Sequence, residues 1–147
     1  MEHTRIGRDV FVRLDKGDEI HSSIRSLSDA GISSAAVTSG IGRVRDAVIG
    51  YLDSDGIYQK ITIEEPMELL SLQGNLCPGP EGPFSHIHVV CSDNDHVVRG
   101  GHLFEAKIEV TAEMHLRILE SDGNTALERV ATDTEFFSLS FCKLGEI

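Results

Sequence analysis

The residues best placed to do chemistry in this 147-residue sequence are His86-Ile87-His88 and Gly100-Gly101-His102. On a strand, residues two apart share a face, so both imidazoles of the first motif project to one side while Ile87 and Val89 pack on the other. Asp93-Asn94-Asp95 is a turn signal between the two motifs. A hairpin centred on Asn94 sets His102 opposite His86 on the neighbouring strand. Cross-strand Cβ atoms lie ~5 Å apart, near enough for imidazoles from two strands to converge on one ion. Three neutral imidazoles suit Zn²⁺ and leave a fourth coordination position for water or substrate. Gly100 and Gly101 let the backbone approach closely or bulge beside the third ligand. Cys91 has the opposite parity and is excluded as a ligand. The plainer reading is a set of solvent-facing histidines, because His-x-His arises from strand alternation alone and the convergence depends on the hairpin register.

Other signals carry less. Ser85 is adjacent to His86 on a strand, so their side chains face opposite ways and form no nucleophile–base pair. Glu113 and His115 share the polar face of a long strand, either as outer partners of a metal site or as exposed charges, with exposed charge favoured. Ser39-Gly40-Ile41-Gly42 reads as a tight turn, since Arg45 stands where a dinucleotide fingerprint needs its third glycine. Arg43, Arg45, Glu64 and Glu65 read as solvated charges, and Glu68 as a paired carboxylate in apolar company.

The elements that must position the histidines follow from periodicity. Asp9 to Leu14 reads as a short strand. Residues 16–30 read as the one major helix, with acidic groups at its start, Ile20, Ile24 and Leu27 at helical spacing, and Gly31 beyond its end. Ala35, Val37 and 48–52 are β-like, and Asp53-Ser54-Asp55-Gly56 is a turn into a strand at 58–63. Residues 67–76 form an apolar strand, 77–83 a loop rich in proline and glycine, and 84–92 the strand carrying the first two histidines. From Glu105 to Ile118 apolar and polar residues alternate without a break, which is one bent strand or two joined at a bulge. Residues 121–129 read as turn or short helix, and 136–141 as a closing strand. The whole is one α+β domain over 1–147: a mostly antiparallel sheet with one major helix and short flanking helices.

Composition narrows the function classes. Thirteen basic and 24 acidic residues give a net charge of −11, which repels a phosphate backbone and disfavours direct DNA binding. With 40% apolar and 25% charged residues the chain is globular. No apolar run reaches the ~18 residues of a membrane helix, and the N-terminus lacks the apolar stretch of a signal peptide. Three cysteines without Cys-x-x-Cys spacing fit reduced thiols in a cytoplasmic protein.

Five landmarks then fall in a familiar order: 14–20 (Leu-Asp-Lys-Gly-Asp-Glu-Ile), Ser39-Gly40-Ile41-Gly42, 67–75 (Met-Glu-Leu-Leu-Ser-Leu-Gln-Gly-Asn), His86-Ile87-His88 and Gly100-Gly101-His102-Leu103. Together they resemble the PPC family, the domain shared by plants and prokaryotes, over roughly residues 9–141. The resemblance implies an antiparallel sheet with flanking helices, assembled as a homotrimer. It further implies a metal on the histidines matching His86, His88 and His102. In land plants the domain follows an AT-hook in nuclear DNA-binding proteins. This chain has no Arg-Gly-Arg-Pro core, and its Arg5-Ile6-Gly7-Arg8 lacks the proline, so that chemistry does not transfer. A cupin is the structural rival, but it needs a Glu shortly after the second histidine and accommodates the helix badly.

The expected function is therefore a stand-alone domain holding a divalent metal, zinc by preference, with an enzymatic or small-ligand role at the open position. The alternative is a DNA-associated regulator or protein-interaction module in which the metal is structural. The expected partners are further copies of the chain, with other proteins or a small molecule at the metal, and no membrane.

Overall fold

The alternation that ends at Ile118 belongs to a strand of 21 residues, and that strand organises the molecule. The computed structural model describes residues 1–120 and 125–143. Its elements are β1 (Glu2–Ile6), β2 (Asp9–Asp15), α1 (Ile20–Ser26), β3 (Ala35–Leu52), β4 (Tyr58–Ile63) and β5 (Met67–Gly79), then β6 (Gly82–Ser92), β7 (Val98–Ile118), β8 (Thr125–Ala131) and β9 (Phe137–Lys143). Seven strands form an antiparallel sheet in the order β1-β2-β7-β6-β5-β3-β4. An added pairing of β7 with β3 closes a ring of β7, β6, β5 and β3. The class is α+β, as expected. Among the described residues no helix is long and apolar enough to cross a membrane.

One edge of β7 belongs to β3. The other edge is shared: residues 98–102 pair with β6, and residues 111–117 with β2. The stretch between would leave backbone groups unpaired, and residues 17–19 fill it. Gly17 N–H donates to Ile108 O at 2.9 Å, Ile108 N–H donates to Asp18 O at 2.9 Å, and Glu19 bridges to Lys107. This pairing shortens the helix. Expected over 16–30, it begins at Ile20, where the Glu19 carboxylate accepts from the N–H groups of His21 and Ser22. It ends in a 3-10 turn over Leu27–Ala30, closed by Gly31 at φ 80. Ile20, Ile24 and Leu27 are fully buried, and the helix packs on β6 and β7.

Three further expectations change. β5 and β6 run on through the proline-rich stretch, pairing Pro78 with Pro83 and leaving Pro80-Glu81 as the turn. The prolines sit at a hairpin end, where few ladder donors are needed. Residues 121–124 lie outside the described residues, but 125–131 is strand β8, paired with β9, where turn or short helix was expected. Short flanking helices are absent among the described residues apart from the 3-10 turn. The N-terminal strand β1, pairing with β2, had no sequence signal assigned to it.

Gly74 sits opposite Ile87 in the β5–β6 ladder, where a Cβ would run into the backbone carbonyl of His86. Gly74→Ala is therefore expected to destabilise the protein by about 1–3 kcal/mol, the usual cost of overpacking. Chemical denaturation of the variant against the parent measures it; an unchanged midpoint contradicts this packing.

Candidate metal centre

Asp93 to Val97 make a five-residue connection. The Asp93 carboxylate accepts from the N–H groups of Asp95 and Val97, and His96 takes φ 61. Asp53 to Ile57 close β3 onto β4 in the same way, with Gly56 at the positive-φ position. The longer connection shifts the β6–β7 register by two: His102 pairs with His88 and not with His86 as expected. A shift of two preserves parity, so all three imidazoles stay on one face. Their ring centroids are 5.1 Å (His86–His88), 5.0 Å (His86–His102) and 5.4 Å (His88–His102) apart. One nitrogen from each lies within 4.8 Å of the others, and among the described residues no cysteine or carboxylate joins the group.

The glycines before His102 are required by close approach. A Cβ on Gly100 would sit 2.6 Å from Val89 O, and one on Gly101 2.8 Å from Gly50 O. Only a strand bare at these two positions lets β6 and β3 both close on β7 beside the third histidine.

Burial sets the charge state of the cluster. It pushes the His102 imidazolium down to about 3, with His86, His88, His21 and Lys60 adding repulsion. It pushes His86 down to about 4, with the Arg129 guanidinium the next cause. Both rings are thus neutral at pH 7, the state a metal ligand needs. Nδ1 of His102 is buried without a hydrogen-bond partner, a cost that a bound cation removes. Nδ1 of His86 accepts from Arg129 Nη2 at 3.1 Å, since a guanidinium only donates. A metal on His86 requires Arg129 to release that nitrogen. With that adjustment, the donor set fits a divalent ion.

Beyond the His88–His102 pair, β6 and β7 part. His21 spans the gap: its Nδ1 is 2.7 Å from Ser85 Oγ on β6, and its Nε2 is 2.9 Å from Leu103 O on β7. The carbonyl can only accept, so Nε2 carries the proton and Ser85 O–H donates to Nδ1. Burial lowers the His21 pKa and keeps it neutral. A cavity of about 240 Å³ opens at this fork, with His21, Ser85, His86 and His102 in its wall. Tyr58 stacks on His102 at 4.8 Å, and Phe104 lies 4.7 Å from the same ring.

Sequence reasoning placed His86, His88 and His102 together but missed His21, Tyr58 and Arg129. His21 is one position beside the apolar helix stripe, a hint of burial with no hint of its partners. Ser85 does face away from His86; its partner is a histidine 64 residues distant in sequence. Cys91 is buried in the core, its thiol pushed up to about 11 by burial. His115 lies away from the cluster, held by Asp9 at 3.0 Å and by Thr38, and Glu113 is exposed. Arg43 pairs with Glu68 at 3.5 Å and Arg45 with Asp46 at 3.2 Å, while Glu64 and Glu65 are exposed.

The comparisons with known proteins assign the chain to a class. Residues 1–121 match the model of the Plants and Prokaryotes Conserved (PCC) domain, also written PPC, and the chain belongs to that family. A plant- and prokaryote-conserved protein of Pyrococcus horikoshii is 28% identical with a TM-score of 0.80, covering 97% of each chain. A metal-containing protein of Archaeoglobus fulgidus is 37% identical with a TM-score of 0.79, over 91% of this chain and 94% of that one. A structure from Bacteroides thetaiotaomicron described as a putative DNA-binding protein shares the fold at 21% identity, with a TM-score of 0.83 and 95% and 96% coverage. No curated protein matches the chain.

His86 and His102 both titrate below the ordinary 6.5. As pH falls, the unfolded chain takes up protons first, so acid favours unfolding. Thermal melts of the metal-free protein are expected to show a flat midpoint above about pH 6.5 and a falling one from there toward pH 4. A midpoint that rises on acidification through this window contradicts the neutral, buried cluster.

Proposed function

We propose that the chain is a PPC-domain protein whose working centre is a zinc ion held by His86, His88 and His102. One observation carries the reading: three imidazoles from two strands converge, two of them held neutral by burial, with no fourth protein ligand among the described residues. Three protein ligands with an open position are the pattern of a reactive zinc rather than a closed structural one. In such a site the ion supplies Lewis acidity and lowers the pKa of bound water toward ~7. The chain's own residues do the rest. Tyr58 and Phe104 fix the His102 ring from the side, and the β6–β7 ladder fixes the separation of His88 and His102. The metal-containing A. fulgidus relative supports the assignment.

The protein works as a homotrimer in this reading. Val90 and Val98 stand exposed on the face that carries His88, and Leu70 is exposed beside Ser71, the partner of Val90. Burying such a strip against another subunit is favourable and covers open strand surface. The number three follows the family resemblance. Direct DNA binding is not part of the proposal: a chain of net charge −11 offers a duplex little counterion release.

The test is elemental analysis with light scattering on one purified sample. One zinc per chain and a mass three times the 16.1 kDa monomer are expected. His88→Ala is expected to lose the zinc while keeping its fold, because His88 is exposed and makes no packing contribution to the core. Full zinc content in His88→Ala refutes the centre, and a monomer or dimer mass refutes the trimer.

A further inference from the structure

In so acidic a chain, cations find carboxylates easily. Of the lysines and arginines whose side chains are described, all lie within 4.0 Å of a carboxylate oxygen except three: Arg25, Lys60 and Arg129. One of the three lines a cavity, and the other two lie against residues of its wall. Arg25 lines the cavity at the β6–β7 fork. Lys60 Nζ lies 4.0 Å from the ring of Phe104, which lines it too. Arg129 is 4% exposed, donates only to neutral acceptors (Asn75 Oδ1, Phe137 O and His86 Nδ1), and leaves Nε without a partner. A buried guanidinium with no counter-charge is costly.

The wall has a second bias. The chain has eight aromatic residues and no tryptophan, yet Tyr58, Phe84, Phe104, Phe136 and Phe137 all line this cavity. The single acid in the wall, Glu135, accepts from Tyr58 N–H at 2.8 Å. At about 240 Å³ the space is below the ~300 Å³ at which pockets for drug-sized molecules begin, so it takes one ring, not a nucleotide.

We propose that this cavity binds a small aromatic carboxylate, its ring among the five aromatic side chains and its anion facing Arg25 and the histidine cluster. Arg25, in the wall itself, supplies the charge selection and the rings supply the shape selection. The inference deepens the metal reading, since a divalent ion at the histidines adds to the positive charge awaiting an anion, but the cations and rings exist without it.

Calorimetric titration of the full chain tests it, with benzoate as probe and zinc content measured on the same sample. Benzoate is expected to bind saturably, about tenfold or more tighter than its neutral isostere benzamide and than ring-less acetate. Arg25→Gln, an exposed substitution that leaves the core intact, is expected to weaken benzoate several-fold and leave benzamide unchanged. Equal affinity for benzoate and benzamide overturns the anion selection, and equal affinity for benzoate and acetate overturns the aromatic wall. No benzoate binding by zinc-loaded protein overturns the proposal while the metal reading stands. Selective benzoate binding by protein that holds no zinc supports the cavity and overturns the metal.

Discussion

The structure depends on how the long strand β7 satisfies its backbone. One of its edges is served in turn by β6, by the segment 17–19 and by β2, and the β6 pairing ends at His102, one residue before Leu103. His21 donates to the Leu103 carbonyl at that changeover. A buried carbonyl left bare would cost about 1–3 kcal/mol, so the helix must start where it can deliver that imidazole. Glu19 therefore caps α1 immediately before His21, and the helix is short because the residues before it are committed to β7. The cavity exists for the same reason: two strands that remained paired would have closed it.

Charge is distributed with equal economy. The surface is acidic and laced with ion pairs that each contribute little. At the fork the pattern inverts, with neutral imidazoles, unpaired cations and one carboxylate occupied by a backbone N–H. Burial accounts for both halves, since it removes protons from the histidines and denies Arg129 the water that would screen it.

Much of this was readable from the chain because strand parity is robust. The hairpin register from sequence was wrong by two residues, yet His86, His88 and His102 still share a face, as an even slip preserves side-chain direction. The error came from the loop: His96 takes the role Gly56 plays in the earlier turn, and a histidine gives no sign of a positive φ. The helix start was misplaced because Asp15 to Asp18 look like a first turn, while the competing claim on Gly17 and Asp18 is made by Ile108, far away in sequence. His21, Tyr58 and Arg129 were illegible for a related reason. Each acts through a partner brought near by tertiary pairing, and local pattern carries no trace of it.

The β8–β9 hairpin begins beyond residue 121, where the match to the family domain ends. It is a separate two-stranded sheet that reaches the fork through Arg129, Phe136 and Phe137, and its turn rests on the Gly56–Tyr58 stretch. The histidines are thus fixed by the ring of long strands, while part of the wall beside them, Glu135, Phe136 and Phe137, comes from the added hairpin. A change at Phe136 or Phe137 alters that wall without moving the strands that set the three histidines, whereas a change at Arg129 reaches His86 directly.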